Sequence, residues 1–278
     1  MAQTPHTNIR VQAVQVPPFR NMSTQALHPV PPSHVVSTFT ILRCLGIPDE
    51  LILYILAIAE YYAREVSHRR KRVTFRANSH FNGVINDSEP SMAGLYMTAS
   101  VPHNRIRSVA FTMKSRDQAW ADNGGHGTYH NSHTWFEASI LQRVVGHGQS
   151  DHDLVLPLEH PNGEPVTFRS VYAARDYLRQ HGWDFKFGDG DNLKYTWKVH
   201  HNVTAMNEFR EYNVRWVKGE KMLVVPEGEG MGIGIGDGEG FVESLQPGNM
   251  VLLWARAEQF AWVHIVDEAT IVTEYEVL

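Results

Sequence analysis

The stretch Arg107-Ser108-Val109-Ala110-Phe111-Thr112-Met113-Lys114 decides the fold class. Val109, Phe111 and Met113 share one parity with Arg107, while the small or polar Ser108, Ala110, Thr112 and Lys114 share the other. Successive side chains of a strand point to opposite faces, so this pattern predicts an extended segment with one buried face. The same period recurs on either side of it. Thr134, Phe136 and Ala138 alternate with His133, Trp135, Glu137 and Ser139, and the final stretch from Ala269 to Leu278 is rich in β-branched residues. Strands are expected at 73–77, 94–99, 105–114, 133–141, 195–202, 212–217, 221–225, 249–256, 262–266 and 269–277. One helical run is read near 168–180, with Tyr172, Arg175, Asp176 and Arg179 along one face. Strands and helices do not alternate as a parallel sheet requires. The expected class is therefore all-β: an antiparallel β-sandwich, jelly-roll-like or galactose-binding-like, with a short N-terminal amphipathic helix.

Ahead of the strands, Pro5, Pro17, Pro18, Pro29, Pro31 and Pro32 crowd a segment with few large apolar side chains. Such a segment buries too little surface to offset its ordering entropy, so residues 1–38 are expected to be a disordered tail. Residues 39–72 form the helical segment and 73–278 the sandwich domain. In the helix, Pro48 suits a first-turn position, and Asp49 and Glu50 complement the positive end of the dipole. Leu51, Ile55, Ile58 and Tyr62, widened by Ile52 and Ala59, make an apolar stripe that packs on the sandwich or meets another protein. The basic run His68-Arg69-Arg70-Lys71-Arg72 reads as a solvated helix end, with nuclear import or phosphate binding as the sharper alternatives.

A formal charge of -5 does not suggest a broad nucleic-acid surface. The single Cys44 excludes an internal disulfide framework and a Cys-based zinc cluster. Neither a secretory signal nor a membrane-spanning stretch is read, which places the chain in the cytoplasm, with the nucleus as the alternative.

Two loops attract attention, 143–166 and the run 226–240 with Gly at every second position from Gly228 to Gly240. The latter lacks the Gly-x-Gly-x-x-Gly order and a βαβ setting, so it is a poor phosphate cradle. His126, His130, His133 and Glu137 are chemically fit to ligate a metal, but the spacing is not His-x-His, and no metal or other cofactor is assigned. Arg116, Asp117, Gln118 and Trp120, followed by Tyr129, Trp135 and Glu137, offer an aromatic wall with directional polar groups. Trp254 and Arg256 share a face by period two, as do Trp262 and His264, with Asp267 beyond. Were these strands adjacent, Asp117, Glu137, Arg256 and His264 would be the candidate catalytic groups. Arg116, Gln118, Trp120, Tyr129, Trp135, Trp254 and Trp262 would then contact the ligand. The indoles are equally well placed to be core, and Asp117 and Gln118 to close a turn.

Ile47-Pro48-Asp49-Glu50-Leu51-Ile52-Leu53-Tyr54-Ile55-Leu56 resembles the first helix of an F-box. The blocks from Arg107 to Trp120, Gly127 to Ala138, Leu245 to Glu258 and Ala261 to His264 together resemble a group of poorly characterised fungal β-sandwich proteins, some with an F-box-like helix in front. Ala119 departs from that group, which tends to have Gly there. The resemblance implies a fold and an origin. Sandwich proteins of similar general shape include cyclases of fungal secondary metabolism. Two functions follow as expectations: an intracellular module binding a polar-aromatic small molecule or a partner protein, and a cofactor-free cyclase or isomerase with an aromatic-walled pocket. No nucleic acid and no membrane partner is expected.

Overall fold

The computed structural model describes residues 28–80, 90–103, 105–122, 124–144, 155–187, 194–220 and 234–277. The strand expected at 221–225, most of the Gly-rich run and part of the 143–166 loop lie outside these residues, as do residues 1–27 of the expected tail. The end of that tail is ordered, because residues from Pro32 on form the first helix, with Val35 buried in the core.

The alternation at 107–114 is realised in β3 (Ile106–Arg116), where Val109, Phe111 and Met113 are buried. β3 lies between β10 (Val263–Tyr275) and β8 (Arg210–Val217), and β1 (Ala63–Arg76) completes a four-stranded sheet in the order β1-β10-β3-β8. The second sheet runs β5 (Thr167–Phe168), β2 (Ser91–Ser100), β9 (Met250–Glu258), β4 (Thr134–Arg143). Two short strands, β6 (Trp183–Phe185) and β7 (Trp197–His201), share the remaining edge of β4. Every strand pairing named here is antiparallel. One apolar core joins the sheets: Phe111 and Met113 from the first, Phe136, Ile140 and Leu253 from the second.

The all-β expectation is overturned. The described residues include four α-helices, α1 (Pro32–Cys44), α2 (Asp49–Ile58), α3 (Arg175–Gln180) and α4 (Phe241–Ser244), and the fold is mixed α/β rather than a simple β-sandwich. The physical reason sits on the far side of the second sheet. There Ala93, Leu95, Leu141, Leu252 and Trp254 pack under a cover that includes Val171 and Leu178 near and within α3. A sheet buried on both faces loses its alternation, and eight of the nine residues of β9 are buried. Arg175 and Arg179 hold the cover in place through Asp184 of β6, at 2.8 and 3.0 Å.

The segment read as one long helix also divides. α2 stops at Ile58, and β1 begins at Ala63 and carries the basic run. Strand pairing wins because β10 supplies partners for the charges: Arg64 meets Glu274 at 2.8 Å and Arg72 meets Asp267 at 2.8 Å. Arg69 and Lys71 meet Glu159. The buried face of α2 is Ile52 and Leu56, whereas Leu51, Ile55 and Ile58 face outward. Among the described residues no helix is long and apolar enough to cross a membrane.

Candidate functional site

The strands that carry the candidate residues are neighbours. In the register of β4 against β9, Trp135 lies opposite Arg256 and Glu137 opposite Trp254. Glu137 is thus the diagonal neighbour of Arg256 on the same face, within reach of a long side chain. Arg256 Nη1 donates to Glu137 Oε2 at 2.7 Å, and the indole Nε1–H of Trp135 donates to Glu137 Oε1 at 2.8 Å. The guanidinium also lies 5.0 Å from the Trp135 ring centroid. Its remaining donors reach Glu258 at 3.0 Å, Ser91 Oγ at 3.4 Å and the Met92 carbonyl at 3.2 Å.

The opposite edge of β4 supplies the other half. A bulge between β4 and β7 sets His201 opposite Trp135 and Lys198 opposite Glu137. Bulges re-aim side chains in this way and recur beside functional sites. The Lys198 ammonium lies 5.7 Å from the Trp135 ring centroid, and the His201 ring lies 5.7 Å from it. Burial raises the pKa of Tyr195, with Glu137 pushing the same way and Arg256 opposing, so the phenol is close enough to feel both charges. Trp254 follows on the same face, fully buried, its Nε1–H donating to Ser139 Oγ at 3.0 Å. Phe185 packs on Trp254 at 6.4 Å and on Tyr195 at 5.3 Å. The result is a polar-aromatic surface at one end of the second sheet, continuous with the apolar cluster under α3.

His264 lies behind this surface. It is fully buried between the sheets, edge-on to Phe136 at 4.5 Å, and its Nδ1 is 3.0 Å from the carbonyl of Arg256. A carbonyl accepts only, so Nδ1 carries the proton, and Nε2 has no hydrogen-bond partner among the described residues. His264 therefore positions the Arg256 backbone and does not share the arginine's surface. Burial presses its pKa down to about 3 from 6.5. The folded value lies below the unfolded one, so neutral His264 stabilises fully above pH 6.5, and that contribution is lost as pH falls toward 3. His264 should contribute on the order of 1 to 2 kcal/mol of the stability lost in urea unfolding between about pH 7.5 and about pH 5, with His200 and His201, whose pKa values burial also lowers, adding to the total. In His264→Asn, whose amide can still donate to the carbonyl, that pH dependence should shrink.

The other candidates do not meet at this surface. Asp117 is fully buried at a loop junction, where its carboxylate accepts the backbone N–H groups of Ala119 at 2.8 Å, Ala205 at 2.6 Å and Met206 at 3.1 Å. Arg116 lies over Phe209 at 5.3 Å, not beside Glu137. Gln118 bridges the Trp120 carbonyl and the Val263 N–H, at 2.7 and 3.0 Å. The Trp120 side chain is exposed. Tyr129 meets His200 at 5.3 Å, and Trp262 meets His133 at 4.8 Å. Asp267 pairs with Arg72 and Lys114, away from His264. His126 and His130 are exposed, and among the described residues no group of three or more His, Cys, Asp or Glu is arranged to hold a metal ion.

Lys198, Tyr195, His201, Ser91 and Glu258 were not singled out from the sequence. Glu258 was within reach, since period two carries the face of Trp254 and Arg256 on to it. Lys198 and His201 were not, because a bulge breaks the parity on which such a reading depends.

No family model matches the chain, and no curated protein matches it. Nothing in these comparisons or in the mixed fold supports a fungal origin, an F-box or a secondary-metabolite cyclase, and those expectations are withdrawn.

Proposed function

We propose that the polar-aromatic end of the second sheet's outer face, beside the part covered by α3, binds a small polar-aromatic molecule and isomerises it without a cofactor. The observation that carries this reading is the Trp135–Glu137–Arg256 triad, in which both carboxylate oxygens are held by donors and the guanidinium stands over the indole. Each carboxylate oxygen keeps a further lone pair, so Glu137 remains able to accept a proton. A conjugated substrate laid against Trp135 would lose a proton from a carbon beside its carbonyl to Glu137. The C–H electron pair would move into an enolate, and the same proton would return at another carbon, leaving the mass unchanged. Lys198 and Tyr195 supply donors for the developing oxyanion.

The test incubates the protein with a small-molecule extract of its source cells and follows the mixture by chromatography and mass spectrometry. Wild type should interconvert a pair of equal-mass species, and Glu137→Gln should abolish this while still retaining the compound. An extract in which nothing is converted and nothing is retained contradicts the proposal.

A second reading, binding without turnover, is favoured by one specific feature. Four of the five Arg256 N–H donors are engaged within the protein, by Glu137, Glu258, Ser91 and Met92. Retention of an unchanged compound by both wild type and Glu137→Gln is its distinguishing result.

A further inference from the structure

A cleft of about 280 Å³ lies beside the first sheet, between α2 and the ends of β3 and β10. Its walls are Val35 of α1 and Leu53, Leu56 and Ala57 of α2, with Tyr62 and Tyr275 beyond. Among the described residues, two polar groups in this lining have no counterpart: Arg107 Nε is buried without a hydrogen-bond partner, and so is the hydroxyl of Tyr275, a residue only 2% exposed. The Arg107 guanidinium lies 4.6 Å from the Tyr62 ring centroid, and no described carboxylate pairs with it. Leaving a buried donor unmet is costly, so a guanidinium nitrogen and a phenol hydroxyl without partners in the lining of one apolar cleft point to an acceptor from outside. The volume sits near the lower end of small-molecule pockets, about 300 to 1,000 Å³, and so selects a small ligand.

We propose that this cleft binds an amphipathic monocarboxylate, its head accepting from Arg107 and Tyr275 and its apolar body lying along Val35, Leu53 and Leu56. A carboxylate fits better than a neutral oxygen because Arg107 brings a full charge into a half-buried setting, where a charge-assisted bond is stronger. Glu276, exposed in the same lining, disfavours dianions and so limits the ligand to a single negative charge.

Decanoate, titrated calorimetrically into the full chain, is the probe, with decanol as the neutral control and decyltrimethylammonium as the cationic one. Saturable one-to-one binding of decanoate is expected, with decanol at least about tenfold weaker, the loss of a hydrogen bond to a charged group. Arg107→Gln should weaken decanoate by a similar factor and Tyr275→Phe by severalfold. Ala57→Trp, at an exposed lining position, should block the cleft with the fold intact. Glu276→Gln should tighten binding, and Glu137→Gln on the other sheet should leave it unchanged. Absence of saturable binding, equal affinity for decanol, or undiminished binding by Arg107→Gln overturns the proposal.

Discussion

Arg256→Met should cost about 3 to 5 kcal/mol of stability, the penalty for removing one partner of a buried ion pair. The side chains of Arg256 and Glu137 are 10% and 13% exposed, so little water reaches the carboxylate once the guanidinium is gone. Glu258, at 39%, is better solvated and adds less. The methionine keeps the apolar stem, so the loss reads as charge and hydrogen bonding rather than a cavity. Combining Arg256→Met with Glu137→Leu should recover a large part of the loss, because the stranded charge is then removed as well. Urea midpoints of the two single variants and the double variant complete the cycle. Additive losses would mean that the pair contributes nothing as a unit.

The second large effect is expected at Asp117. Asp117→Ala orphans three backbone N–H donors, those of Ala119, Ala205 and Met206, at about 1 kcal/mol or more each, so a loss of about 3 kcal/mol or more is expected. Two of these donors belong to residues in the left-handed region, Ala119 at φ 72° and Ala205 at φ 58°, which the carboxylate helps to hold. This explains why a glycine would be at home at position 119. Burial raises the Asp117 pKa, and the three N–H groups and Arg116 only partly oppose it. A shifted carboxyl is often a mark of catalysis, but here it belongs to a loop clamp. Thermal unfolding of Asp117→Ala should show the loss while any activity that depends on Glu137 survives in the folded fraction. Loss of activity with unchanged stability would reverse that assignment.

Much of the strand content was legible because β3 has one face against a single core, with Val109, Phe111 and Met113 alternating with smaller or more polar neighbours, whereas β10 alternates only from Val263 to Asp267 and was legible from its β-branched residues. β9 was legible as extended but not as central. Its run Met250-Val251-Leu252-Leu253-Trp254-Ala255 is apolar on both faces, the mark of a sheet covered twice, and the cover comes from the helical run read near 168–180 and the loop read at 143–166, neither of which the sequence places over this sheet. The end of β1 was read as the strand at 73–77, but its first part was hidden for the opposite reason. His68 to Arg72 look solvated in isolation, and only the carboxylates of β10 and Glu159, distant in sequence, make them a strand. At the site, period two put Trp254 with Arg256 and Trp135 with Glu137, while their union depended on register, which sequence spacing does not contain. The same spacing linked Trp262 to His264 and could not tell that His264 reaches only the far side of Arg256, through a backbone carbonyl.

The most direct test is made on the indole of Trp135. In ¹⁵N-labelled protein, its Nε1–H resonance reports the hydrogen bond to Glu137, and that of Trp254 reports the buried bond to Ser139. On titration with fractionated small-molecule extract, one fraction should shift the Trp135 resonance and leave Trp254 in place, and Glu137→Gln should change the response. A Trp135 resonance that stays unmoved by every fraction, in protein that is otherwise folded, would contradict a ligand site on this face.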